Sequence, residues 1–150
     1  MTDIALAWDS DAFAADLLLS AGALATDDGL RTAVIISLFS DARARDDDPL
    51  PQPGADKRGW WGDALAEVEG DRIGSRLWLL HREKITPSVL TRARDYARDA
   101  LAWLIEDGIA KSIEVTAEAI RPATLGLGIV ITRPEGPARQ RFDFVWEATA

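Results

Sequence analysis

The sequence predicts an α+β fold: an N-terminal β-hairpin, three helices, and a C-terminal three-stranded antiparallel meander, with the helices packed on one face of one sheet. Three observations support this. Apolar residues recur at period two near the start of the chain. They recur at i+3/i+4 through the middle, then at period two again in three consecutive runs. Those last runs are joined by short breaks, the mark of neighbouring strands.

Taken in order, Ile4, Leu6 and Trp8 alternate within residues 3–9 and predict a strand with one heavy face. Leu17 and Leu19 supply its partner, and Gly22 sits where a turn is needed. Thr26 is a suitable helix N-cap, with Asp27 and Asp28 in the first turn favouring the macrodipole. That helix should run to about Ser40; Leu30, Val34 and Leu38 form one stripe and Ile35, Ile36 and Phe39 cover other faces. Apolar almost all round, it belongs deep in the fold. Residues 46–58 hold Pro49, Pro51, Pro53 and Gly54 without hydrophobic period and predict an internal loop.

Leu77, Trp78 and Leu80 predict a short helix from Gly74 to about Arg82. Thr86 and Pro87 open a long helix as N-cap and first helical residue. Val89, Leu90, Ala93, Tyr96, Ala97, Leu101 and Leu104 continue it to Gly108, which suits the C′ position. Ile113 to Ala119, Leu125 to Ile131 and Phe142 to Glu147 alternate as strands. Their turns are Arg121-Pro122-Ala123 and Arg133-Pro134-Glu135-Gly136-Pro137. The 150 residues are expected to form a single domain.

Composition excludes several classes. The formal net charge is -8, and residues 1–30 contain six Asp and no Lys or Arg. That is the wrong sign for nucleic acid or an anionic membrane surface. With no Cys there is neither disulfide nor thiol chemistry, and the single His81 leaves no pair for a two-His metal site. The longest apolar stretches, 33–36 and 101–105, are too short to span a bilayer, and the N-terminus lacks a basic signal region. Synthesis in a reducing cytosol, with no cofactor, is the expectation.

Few residues suggest chemistry. Asp63, Glu67, Glu69 and Asp71 lie near Trp60-Trp61, and paired carboxylates beside aromatics suit glycoside hydrolysis. A solvated acidic edge explains the same residues. His81 sits at a charged helix end, where a cationic imidazole complements the dipole. Gly126-Leu127-Gly128 lacks the third glycine and the following helix of a dinucleotide loop, so its glycines should permit close backbone approach. Asp46-Asp47-Asp48 lacks calcium-loop spacing and reads as a solvated turn. Trp60 and Trp61 cannot both face one way in regular structure. Either one packs inward while the other anchors a partner, or both pin the loop to the core.

Three blocks carry a resemblance. They are Asp27-Asp28-Gly29-Leu30-Arg31-Thr32-Ala33-Val34, Arg58-Gly59-Trp60-Trp61-Gly62-Asp63, and Gly70-Asp71-Arg72-Ile73-Gly74-Ser75-Arg76-Leu77-Trp78-Leu79-Leu80. Together they resemble the Mu-type phage contractile-tail baseplate family across nearly the whole chain. More distantly the pattern is similar to the gene-25-like baseplate wedge family of T-even phages and type VI secretion systems. In that wider family a Glu-Pro-Arg motif follows the long helix. Here Glu106 matches its acid, while Asp107 and Gly108 replace the other two residues.

The resemblance implies a non-enzymatic wedge subunit in the tail baseplate of a virion or prophage particle. It implies other wedge proteins and the tail sheath protein as partners, in a hetero-oligomer, with sheath assembly nucleated by strand addition. Trp60, Trp61, Glu106, Phe142, Phe144 and Trp146 are the candidate partner-facing residues. A lysozyme-like hydrolase and a small soluble adaptor are the alternatives. The acidic N-terminal hairpin should stay in solvent or meet a basic patch on a neighbour.

Overall fold

A computed structural model of the chain describes residues 3–27, 30–136 and 139–147. The order is six short strands, a helix, a long loop with two 3-10 turns, a second helix, and three long strands.

The N-terminal region is more than the predicted hairpin. The strands are β1 (Asp3–Ile4), β2 (Leu6–Asp9), β3 (Ala14–Leu17), β4 (Leu19–Ser20), β5 (Ala23–Leu24) and β6 (Thr26–Asp27). They pair antiparallel as β2 with β3, β4 with β5, and β1 with β6. Each of the stretches 3–9, 14–20 and 23–27 therefore changes partner at its middle. The three changeover residues bond in a closed cycle. Ala5 N–H donates to Ala25 C=O (2.9 Å), Ala25 N–H to Leu18 C=O (2.8 Å), and Leu18 N–H to Ala5 C=O (3.0 Å). This three-armed junction satisfies every backbone group that the changeovers would otherwise strand. The β4–β5 arm turns through Ala21 and Gly22, both at positive φ, as a two-residue hairpin of this twist requires. In the β2–β3 arm the Asp9 carboxylate accepts the N–H groups of Asp11 and Ala12 and fixes the loop.

Helix α1 spans Leu30–Phe39 and is buried along most of its surface, as its all-round apolar pattern predicts. Its start differs from expectation. Thr26 is not the N-cap, because its backbone pairs with Ile4 in the β1–β6 arm. The predicted first-turn contribution of Asp28 lies outside the described residues. From inside the helix, the Thr32 hydroxyl donates to Ile4 C=O and accepts from Leu6 N–H. It thereby ties α1 to the junction.

Among the described residues two helices exceed one turn, where three were expected. The predicted helix over 74–82 is only a 3-10 turn, Leu77–Leu80, with all four side chains buried. Four apolar neighbours in a row suit a tight turn sunk in the core better than a longer amphipathic helix. Helix α2 spans Pro87–Leu101, and Thr86 Oγ1 accepts Val89 N–H as predicted. The helix is interrupted at Ala102, then one turn, Trp103–Glu106, follows. Gly108 closes it at φ 72°: its N–H donates to Ile105 C=O, and Ala110 N–H reaches back to Leu104 C=O.

Strands β7 (Ser112–Arg121), β8 (Thr124–Thr132) and β9 (Arg139–Glu147) form the predicted meander in the order β7-β8-β9. Pro137, in the second predicted turn, lies outside the described residues. Val115 on β7, Leu125, Leu127, Ile129 and Ile131 on β8, and Phe142, Phe144 and Trp146 on β9 face one core with α1 and α2. The glycines of β8 admit side chains rather than backbone. Ile120 covers Gly126, and Thr116, Asp143 and Arg141 close over Gly128.

The loop between α1 and α2 is held by charge. Arg76, its side chain only 12% exposed, bonds both oxygens of Asp48 and one of Asp99. Its plane lies 4.5 Å over the Tyr96 ring. The Asp46-Asp47-Asp48 run is thus divided: Asp46 pairs with Lys57, and Asp48 is a buried anchor rather than part of a solvated turn.

Candidate functional site

Six tryptophans divide into two groups. Trp8, Trp78 and Trp103 donate their indole N–H to Val145 C=O, Ala42 C=O and Ser37 Oγ respectively. Trp146 packs in the core, with His81 against its ring at 5.1 Å. Trp60 and Trp61 do neither. They are 48% and 74% exposed, with ring centroids 5.4 Å apart. Both sequence alternatives placed at least one of them inward, and the structure corrects both.

The local backbone explains the display. Gly59 takes φ 108° beside Arg43, directing the chain outward into the 3-10 turn Trp61–Leu65. Gly62 is buried beneath the Trp60 ring, where any Cβ would lie 2.2 Å from ring carbons. Asp63 accepts the N–H of Ile73 and closes the loop. Leu65 and Val68 are also exposed, extending an apolar ridge. Such a ridge can anchor a protein partner by burying aromatic area.

The other predicted partner-facing residues separate from this ridge. Phe142, Phe144 and Trp146 turn their side chains into the core, so β9 offers backbone rather than aromatic surface there. Phe144 meets Trp8 and Phe39 edge-on, and Trp8 stacks on Phe39 at 3.8 Å. Glu106 is exposed at the end of the turn after α2, beside exposed Ile105.

Glu67, Glu69 and Asp71 lie exposed on the loop, and Asp63 is engaged with Ile73. None of them lines the three described clefts. Among the described residues no group of three His, Cys, Asp or Glu is placed to hold a metal, and no helix is long and apolar enough to cross a membrane.

His81 departs from the expected cationic helix end. It lines a cleft of about 470 Å³ with Trp78, Arg58 and Arg82. Burial pushes its pKa down, and the Arg58 and Arg82 guanidinium groups add to this against the opposing Asp41 carboxylate. The folded state therefore binds this proton less readily than the unfolded chain does. The resulting stability is complete above the unfolded value near 6.5 and declines as pH falls below it. Urea midpoints should fall as pH drops below about 6.5, and His81→Gln should flatten that fall. An unchanged slope in the variant would assign the dependence elsewhere.

Sequence reasoning missed two surfaces. Ile4, Leu17, Leu18, Leu19 and Leu24 are exposed on the N-terminal arms. Periodicity pairs these leucines in strands but cannot tell that the strands leave the core. The second is a basic cleft between residues 82–85 and the β7–β8 turn.

The phage protein GP46 family model matches residues 30–138. A baseplate protein, gp46 of Escherichia phage Mu, is 47% identical over 136 residues, covering 91% of this chain and 90% of its own. The Mu-like prophage FluMu protein gp46 of Haemophilus influenzae is 40% identical over 141 residues, 94% of each chain. The match therefore reaches from the N-terminal arms to the meander, and the chain belongs to the phage protein GP46 family.

Proposed function

We propose that this protein is a structural, non-enzymatic wedge subunit of a contractile-tail baseplate, working as a single domain without a cofactor. Its partners are other wedge proteins and the tail sheath protein. The near full-length likeness to a Mu baseplate protein carries this reading. The aromatic ridge at Trp60 and Trp61 is one side-chain surface for wedge neighbours, and Glu106, apart from it, is a second.

Sheath nucleation is assigned to β7. This edge strand runs ten residues, and among the described residues its backbone bonds only toward β8. On the other edge, the Val145 carbonyl of β9 already accepts the Trp8 indole. Main-chain pairing at an open edge gives affinity with little demand on side chains. A register shift between Ala119 and Arg121, and exposed Glu114 and Glu118, guard the edge against indiscriminate pairing before assembly.

Deleting the gene from an inducible prophage should leave filled heads and no sheathed tails by electron microscopy. In complemented particles, β7 amides should exchange hydrogen more slowly than in the isolated protein. Infectious, sheathed tails from the deletion strain would remove the structural role. Protection confined to β9 would remove the assignment of β7.

A further inference from the structure

The cleft between residues 82–85 and the β7–β8 turn is apolar within and positive at its rim. It encloses about 620 Å³, with Ile85, Ile120 and Pro122 as apolar walls and Arg82, Lys84 and Arg121 as cations. Its one carboxylate, Glu83, is engaged by both terminal nitrogens of Arg92. Among the described residues no carboxylate pairs with Arg82, Lys84 or Arg121.

The β4–β5 arm has the opposite chemistry. Leu19 and Leu24 face each other across the ribbon, 67% and 47% exposed. Asp3 and Asp16 are exposed on the neighbouring arms, and residues 1–30 contain no Lys or Arg. The ribbon is also held ready. Its positive-φ turn and the hydrogen-bond cycle at its base fix its shape before any partner arrives, which lowers the ordering cost of binding.

We infer that the β4–β5 arm of one copy seats in the 82–85/119–123 cleft of a second copy. Leucines meet isoleucine and proline, and aspartates meet an unneutralised cationic rim. Arm against arm would bring like charges together, so the contact is not isologous. Two different patches of one chain that bind each other make a head-to-tail contact, and its repetition generates a ring or an open row. This contact is independent of the baseplate reading, since it is a property of the isolated chain.

The chain has no Cys, so single reporters can be placed cleanly. Ser20→Cys marks the arm and Ala119→Cys marks the cleft; both positions are exposed. A one-to-one mixture of the two variants, treated with a short bismaleimide at millimolar protein, should give mainly the mixed dimer. Raising salt from about 0.05 to 0.5 M should lower its yield several-fold. Reversing the rim with Arg82→Glu and Arg121→Glu should do the same. Adding Asp3→Lys and Asp16→Lys to the arm-labelled chain should restore it. Products in the statistical proportion, or a yield indifferent to both reversals, would overturn the inference.

Discussion

Gly74→Ala should lose about 2–4 kcal/mol of folding stability, because two independent penalties fall on one residue. The backbone there takes φ 100°, a region that side-chain-bearing residues rarely adopt. A Cβ would also lie 2.5 Å from the Ser40 carbonyl oxygen and 2.9 Å from the Ala42 nitrogen. These are backbone atoms, and neither can step aside. Ser75 N–H donates to Ser40 C=O, and Ala42 N–H donates to Ser75 C=O, both at 2.9 Å. The Ser75 hydroxyl donates to Leu38 C=O at the end of α1. Moving the 40–42 segment would break this lock between α1 and the 3-10 turn Leu77–Leu80. Gly70→Ala is the control. Its φ is 85°, but nothing lies within 4 Å of the added carbon, so about 1 kcal/mol of strain is all it should cost. Equal urea midpoints for the two variants would refute the steric argument.

Arg76→Ala should cost about 3 kcal/mol, chiefly by leaving Asp48 without its counter-charge and with only the Arg45 N–H as partner. The Asp48 side chain is 9% exposed, whereas Asp99, the other partner, is 53% exposed and screened by water. Burial works against the guanidinium charge, and the two carboxylates more than offset it, so the pKa of Arg76 stays above its ordinary value. Arg76→Lys keeps the charge but loses the fork whose Nη1 takes both oxygens of Asp48 while Nη2 reaches Asp99, and should recover part of the loss. Arg76→Ala with Asp48→Ala should cost less than the sum of the single changes, since neither charge is then stranded. An effect no larger than that of Arg141→Ala, which breaks the exposed pair with Asp143, would show that burial adds nothing.

Where local chemistry and tertiary packing agree, the sequence was legible. Thr86, Pro87 and Gly108 mark the limits of the long helical segment, and its apolar spacing selects the face that packs inward. The meander was equally clear, since one-residue alternation on β7, β8 and β9 leaves a single register that buries Val115, the large residues of β8 from Leu125 to Ile131 on one face, and the three aromatics of β9 together. The three-armed junction was not legible. Phe13 and Ala21 take positive φ without being glycine, and Ala5, Leu18 and Ala25 have no side chain that announces a change of partner. Arg76 and Asp48 stand 28 residues apart, and nothing local distinguishes them from the other charges of an acidic loop. Of the candidate site, Trp60 and Trp61 were found by composition alone. Their outward pose depends on Gly59 and Gly62, whose part shows only when the backbone does.

Trp8 has a bearing on when the molecule becomes complete. Its indole reaches the Val145 carbonyl, 137 residues away, while its ring rests on Phe39 and touches Phe144. Closing so long a loop always costs entropy, and the cost is smallest once the intervening chain has compacted. The first strands can therefore gather on α1 early, through Thr32 and Phe39, and gain their contact with β9 only late. A chain that stops short of Val145 would keep the Thr32 and Phe39 contacts of its first strands and lose those of Val145 and Phe144. Trp8 thus couples the seating of the N-terminal arms to the completion of the meander.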